Sequence, residues 1–159
     1  MSTSFRSDLR ESDIAAVRAL VTTTGVFSGI EVGWAGEIIE AALKNPASAG
    51  YFALMADGPN GLEGYACYGP IEGTDNRFDL YWIAVSPTAQ GKGLGRRLLA
   101  ACVEDARRRG ATHMFIDTST RTDYSAARSL YKSQGFELQG MLVDFYSDGD
   151  SKAIFGRRL

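Results

Sequence analysis

The sequence predicts a mixed α/β layer fold, and three observations predict it. Apolar residues recur at helical spacing before residue 45, run as strands from residue 51 to residue 85, and then alternate between the two patterns. Two turn-forming clusters, Asp57-Gly58-Pro59-Asn60-Gly61 and Gly73-Thr74-Asp75-Asn76, divide the strand-like middle. The chain has 159 residues, 45% of them apolar, which suits one compact domain over residues 1–159. A domain of this length buries roughly 70% of its unfolded surface.

Each element follows from its residues. Ser4 to Leu9 reads as a short first strand. Ser12 reads as an N-cap, followed by Ile14, Val17, Leu20 and Val21 at helical spacing. Trp34, Ile38, Ile39, Ala42 and Leu43 form the stripe of a second helix, which Asn45-Pro46 ends. Tyr51 to Ala56 and Glu63 to Tyr68 read as a hairpin. Phe78 to Val85 is almost continuously apolar, the pattern of a strand covered on both faces. Leu94, Leu98, Leu99, Cys102, Val103 and Ala106 make a strong helical stripe that Gly110 stops. Met114 to Asp117 is a short strand, and Ala127, Leu130 and Tyr131 mark a short helix ending near Gly135. Phe136 to Tyr146 and Lys152 to Arg157 close the chain as a hairpin across Ser147-Asp148-Gly149-Asp150.

Composition excludes several function classes. A net charge of −2 is too small to direct the chain to nucleic acid or a membrane surface. Arg107, Arg108 and Arg109 precede Gly110, where cations suit a helix C-terminus. His113 is the only histidine, and Cys67 and Cys102 have no CxxC spacing. Histidine-based metal sites and a Ser-His-Asp triad are therefore poor readings, and no metal is expected. The cysteines read as free buried thiols of a reducing cytosol. Residues 1–13 carry no apolar signal core, and no apolar run approaches a membrane span. These readings place the chain in the cytoplasm.

The informative stretch runs from Ile83 to Leu99 as strand, glycine-rich turn and helix. Such a turn exposes unpaired backbone N–H groups at a positive helix end, and glycines let a phosphate approach the backbone. Lys92, Arg96 and Arg97 add cationic charge. A Walker A loop fails because Gly93 follows Lys92, where Ser or Thr is required. The dinucleotide pattern GxGxxG fails at its end, where Arg96 stands in place of glycine.

Gln90-Gly91-Lys92-Gly93-Leu94-Gly95 resembles the acetyl-CoA loop of the GNAT superfamily of N-acetyltransferases. Ala126 to Phe136, with Tyr131 inside it, resembles the second signature of that superfamily. The likeness covers residues 77 to 137, and the stretch resembles bacterial ribosomal-protein-alanine N-terminal acetyltransferases, with a slightly longer strand-to-helix connection than theirs. It implies a central mixed, mostly antiparallel sheet flanked by about four helices, with splayed strands holding acetyl-CoA. It also implies acetyl transfer to a primary amine, in a small molecule or at a peptide N-terminus, by direct attack in a ternary complex. A non-catalytic acyl-CoA sensor on the same fold is the alternative.

The resemblance assigns roles by position. The amides of Gly91, Lys92, Gly93, Leu94, Gly95 and Arg96, with Gln90, correspond to the pyrophosphate cradle. The backbone of Ile83, Ala84 and Val85 corresponds to the strand that pairs with the pantetheine arm. Tyr131 matches the usual general acid, a phenol of pKa about 10 beside a thiol of pKa about 8.5. Asp79 and Asp117 are the candidate bases, each one methylene shorter than the glutamates of relatives. Neutralising a lysine-like amine at pH 7 costs roughly 4–5 kcal/mol, against about 1 for a peptide α-amine, so the acceptor sets how much base is needed. Tyr124 stands where many relatives place an asparagine. Phe27, Tyr81, Phe145 and Tyr146 are candidate acceptor contacts. The oligomeric state stays open, with the C-terminal hairpin as a surface that can pair a homodimer.

Overall fold

The computed structural model describes residues 2–159, and of residues 46–47 the backbone only. Seven strands form one sheet in the order β1-β2-β3-β4-β5-β7-β6. They are β1 Ser4–Arg6, β2 Phe52–Gly58, β3 Gly61–Pro70, β4 Arg77–Val85, β5 His113–Ser119, β6 Glu137–Ser147 and β7 Asp150–Arg158. The helices are α1 Ser12–Thr24, α2 Gly29–Lys44, the single turn α3 Pro46–Ala49, α4 Leu94–Arg108 and α5 Ser125–Ser133. Only β4 and β5 pair in parallel; every other neighbouring pair is antiparallel. Among the described residues no helix is long and apolar enough to cross a membrane.

The two helical layers cover opposite faces. Leu98, Leu99, Cys102 and Val103 of α4 pack with Leu54, Phe78, Leu80 and Met114 on one face. Val17 and Val21 of α1 and Ile39 of α2 pack with Met55, Tyr65 and Cys67 on the other. The last turn of α4 carries the expected cations: Arg107 pairs with Glu104, and Arg108 and Arg109 pair with Asp105.

Three local expectations change. The first strand stops at Arg6 rather than Leu9, because Arg6 turns its guanidinium to Asp13 at 2.7 Å and Asp57 at 2.6 Å. Ser12 is the first residue of α1, not its cap; the buried Asp13 carboxylate instead accepts the Arg10 N–H at 2.8 Å. The second helix starts at Gly29, five residues before Trp34, because Ser28 and Glu31 form a capping box. Trp34 itself is exposed, and Ala35, Ile39 and Ala42 carry the buried face.

Two irregularities of β4 shape the rest. Cys67 pairs with Trp82 but Tyr68 pairs with Leu80, so Tyr81 is an extra, bulged residue. The bulge moves the alternation by one. Phe78 and Leu80 face α4, whereas Trp82 and Ala84 face α1 and α2. The strand is therefore not fully covered on both faces: buried Phe78, Leu80 and Ala84 alternate with half-buried residues, and Tyr81 is exposed. In addition, β4 meets β5 only at Arg77↔His113, Phe78↔Met114 and Asp79↔Phe115, after which the strands part.

Candidate active site

The parting of β4 from β5 opens a cleft of about 640 Å³. Tyr81 to Val85 line one side and Asp117 to Ser119 the other. Tyr124, Ala127 and Tyr131 close one end, and Phe27 and Glu31 from the α1–α2 connection close another. Tyr146, Ser147 and Asp150 of the β6–β7 hairpin complete the wall. The backbone polar groups of β4 beyond Asp79 meet no strand on the β5 side among the described residues. Ile83, Ala84 and Val85 therefore offer an open edge to a chain that needs backbone partners.

The glycine-rich loop continues from that edge into α4. Gly91 and Gly93 sit at φ +75° and +76°, in the left-handed region that disfavours side chains. Gly93 is the N-cap of α4, and no side chain caps the first amides of that helix. Among the described residues, nothing beyond their chain neighbours lies within 4 Å of the side-chain positions of Gly91 and Gly93. Open room beside uncapped amides at a positive helix end fits a pyrophosphate, so these residues suit coenzyme A. Gln90 donates its side-chain N–H to the Val85 carbonyl at 3.0 Å and is the one loop residue lining the cleft. The loop cations are less concentrated than their spacing implies. Lys92 folds back onto the Thr88 carbonyl at 3.0 Å, and Arg97 lies 5.6 Å over the Phe5 ring.

Tyr131 is both a core residue and part of the cleft wall. Its ring packs against Phe136 and Phe155 at 6.5 and 6.1 Å, and the residue also lines the cleft. Burial raises the phenol above its ordinary pKa, so it remains a proton carrier across the neutral range. Tyr124, in the turn before α5, also lines the cleft and meets the Phe27 ring edge-on at 6.4 Å.

Asp79 and Asp117 share one sheet face, opposite the face on which Phe78, Met114 and Ile116 meet α4. Asp117 lines the cleft and accepts from the Lys152 ammonium at 2.8 Å. Asp79 lies just outside the lining, half-buried at the point of divergence. Burial, and then the like charge of Asp117, push its carboxyl up to about 6, while Lys152 acts in the opposite sense.

The acceptor candidates separate. Phe27 packs on Trp82 at 4.9 Å, and Tyr81 meets Tyr51 edge-on at 5.3 Å. Phe27, Tyr81 and Tyr146 line the cleft. Phe145 does not: its ring supports the Lys152 ammonium at 4.5 Å and is half exposed. His113 also lies outside the cleft, bonded to the Thr112 hydroxyl near Arg77 and Arg158. Cys67 and Cys102 are free, buried thiols away from it.

Several lining residues were not apparent in sequence. Glu31 was detectable, because Ser28-x-x-Glu31 is a capping-box spacing. Asp150 was hidden in a turn cluster; it accepts from the Ser119 hydroxyl and is buried. Trp82 follows the bulge at Tyr81 and also lines the cleft.

A family model described as the acetyltransferase (GNAT) family matches residues 22–136. The chain is similar to a GNAT-family protein of Desulfovibrio desulfuricans known from its crystal structure. The two are 38% identical, with a TM-score of 0.95 over 99% of each chain. It is similar to the L-methionine sulfoximine/L-methionine sulfone acetyltransferase of Pseudomonas aeruginosa, 30% identical over 89% of this chain and 84% of that protein. It is also similar to the N-alpha-acetyltransferase RimI of Mycobacterium tuberculosis, 36% identical over 51% of this chain and 48% of that protein. The chain thus spans about half the length of that relative, and 33% of a Mycobacterium leprae protein that it matches at 30% identity.

Proposed function

The chain belongs to the GNAT family of acetyltransferases, and on that premise we propose that residues 1–159 act as one N-acetyltransferase domain on a primary amine. Acetyl-CoA is the acetyl donor. One observation carries the reading of the site. A single cleft is lined by the open β4 edge, by Tyr131 and by Asp117.

In this reading the amides from Gly91 to Arg96 hold the pyrophosphate, and the backbone of Ile83 to Val85 aligns the pantetheine arm. Bound there, the donor supplies a thioester carbonyl. The amine nitrogen attacks that carbonyl carbon directly in a ternary complex. A C–N bond forms and the C–S bond breaks. One N–H proton passes to a carboxylate, Asp79 or Asp117, directly or through water. The Tyr131 hydroxyl gives its proton to the departing sulfur.

The charge of the cleft favours a cationic acceptor. Glu31, Asp117, Asp123 and Asp150 line it, against Arg121. Two named relatives suggest an α-amine, since one acts on amino-acid analogues and the other is an N-alpha-acetyltransferase. An α-amine needs only about 1 kcal/mol to become neutral at pH 7, which a carboxylate near pH 6 can serve. The reading is tested by mixing protein, acetyl-CoA and a panel of amino acids, peptides, polyamines and aminoglycosides, with detection of free thiol. Turnover with α-amines is expected. Silence across the panel, with acetyl-CoA still bound by calorimetry, would leave an acyl-CoA-binding module instead.

The free thiols support a cytoplasmic setting. We also infer a homodimer through β6, an edge strand whose Leu138, Met141, Leu142, Val143 and Phe145 are exposed. Sedimentation of the wild type against Val143→Lys tests it: the wild type should sediment as a dimer and the variant as a monomer.

A further inference from the structure

We propose that Lys152 is a positioning residue for acetyl transfer, holding the Asp117 carboxylate in an ion pair and leaving Asp79 as the carboxylate that takes the amine proton. This rests on the acetyl-transfer reading above.

The geometry divides the two carboxylates. In the β5–β7 register Asp117 pairs with Ile154, so Lys152 lies two residues along β7 on the same face. The Lys152 side chain is only 19% exposed, which is low for lysine, and this holds its direction. Its ammonium sits between the Asp117 carboxylate at 2.8 Å and the Phe145 ring at 4.5 Å. A carboxylate on one side and a ring face on the other both stabilise the cation. The ion pair engages Asp117 Oδ2, so that oxygen is not free to face an incoming amine. Asp79 has no such partner among the described residues, and it stands at the rung where the cleft opens.

The groups around Asp79 come from three strands: Tyr81 on β4, Asp117 on β5 and Lys152 on β7, while Tyr146 on β6 faces Lys152 and Asp117. Asp79, Asp117 and Lys152 together carry one net negative charge when both acids are ionised. That charge suits one incoming ammonium. Without Lys152 the two carboxylates would face each other uncompensated. Asp79 would then hold its proton to higher pH and stop accepting one from the amine. Burial already places its carboxyl at about 6, close to a useful base near neutrality.

The test is the pH profile of kcat/KM for an α-amine substrate, expressed per neutral amine so that the substrate's own ionisation drops out. The wild type should show an acid limb near the Asp79 value of about 6. Lys152→Met should move that limb up by about one pH unit and lower the rate at pH 7 several-fold, while Lys152→Arg should restore it. Asp117→Asn should lower kcat/KM less than Asp79→Asn does and move the limb down, since it removes a like charge and frees Lys152 to face Asp79. Asp79→Asn should abolish the limb and lower kcat by about 10²-fold. An unmoved limb in folded Lys152→Met overturns the proposal. So does loss of turnover in Asp117→Asn with retention in Asp79→Asn, which would make Asp117 the base. If Lys152→Met does not fold, Asp117→Asn and Lys152→Arg carry the test. Absence of thiol release by the wild type with every amine is a different result, and it removes the acetyl-transfer reading itself.

Discussion

Asp79 and Phe115 form the last paired rung between β4 and β5. Two residues further along β4 Tyr81 forms its bulge, and among the described residues the two strands pair no more. The sheet thus changes from a hydrogen-bonded floor into two divergent walls within two residues of the chain. A side chain at that rung is neither core nor surface. It is shielded by the paired half of the sheet and faces the open half.

That position gives Asp79 a measurable effect on stability. Burial, with the like charge of Asp117, raises its carboxyl from 3.8 to about 6 in the folded protein. A raised folded value means that the neutral acid is favoured by folding. The stability it contributes is full below about pH 4 and is lost as pH rises through about 6. Asp79→Asn should therefore stabilise the protein by about 1 kcal/mol at pH 8, below the full shift because the group is only half-buried. The gain should vanish at pH 4. Urea melts at the two pH values check this, and equal gains at both would contradict it.

Tyr131→Phe separates the two readings of that ring. The ring contacts with Phe136 and Phe155 survive the change, and only the hydroxyl is lost. Acetyl-CoA affinity by calorimetry should stay the same while kcat falls by about 10²-fold. Unchanged turnover would show that the residue only fills the core.

Gly93→Ala tests the loop. The backbone at φ +76° admits an alanine only under strain of about 1–2 kcal/mol. Relief of that strain turns the first amides of α4. We expect the KM for acetyl-CoA to rise about ten-fold, equivalent to roughly 1.4 kcal/mol, with the acceptor KM unchanged. Equal rises in both constants would point to general unfolding of the loop instead.

Legibility in the sequence followed how local each feature is. The loop was readable because Gly91 and Gly93 answer a backbone demand that is met within a few residues. The helical stripe from Leu94 to Ala106 was readable because one face is buried along its whole length. The bulge was not, since Tyr81 and Trp82 are both aromatic and a one-residue slip between them leaves no mark. Lys152 and Asp117 are 35 positions apart and meet only through the register of β5 with β7. Phe145 read as an acceptor contact because it adjoins Tyr146 on β6, and of the two only Tyr146 lines the cleft. Strand alternation alone does not say which of two adjacent aromatics turns inward. The length of the first strand was set by Arg6 reaching residues 7 and 51 positions away.

That arginine supports the last prediction. Arg6 joins β1 to α1 through Asp13 and to β2 through Asp57, at 2.7 and 2.6 Å. The Arg6 and Asp13 side chains are only 13% and 4% exposed. Burial alone would raise the Asp13 carboxyl, but hydrogen bonds from the Arg6 guanidinium and the Arg10 N–H outweigh it and hold it below its usual range. A lowered folded value means that this stability is present above about pH 4 and is lost as pH falls through the folded value. Arg6→Met leaves a buried anion without its partner and should cost about 3 kcal/mol at pH 7. Adding Asp13→Leu should recover most of that loss, because the replaced pair is then apolar and Asp57 is open enough to be solvated. The gap between wild type and Arg6→Met should narrow as pH falls from 7 to 3, because protonation of Asp13 removes the charge that Arg6 partners. Denaturant titrations of the three proteins at pH 7 and pH 3 measure both effects. A gap that does not depend on pH would mean that Arg6 stabilises the protein by packing rather than by charge.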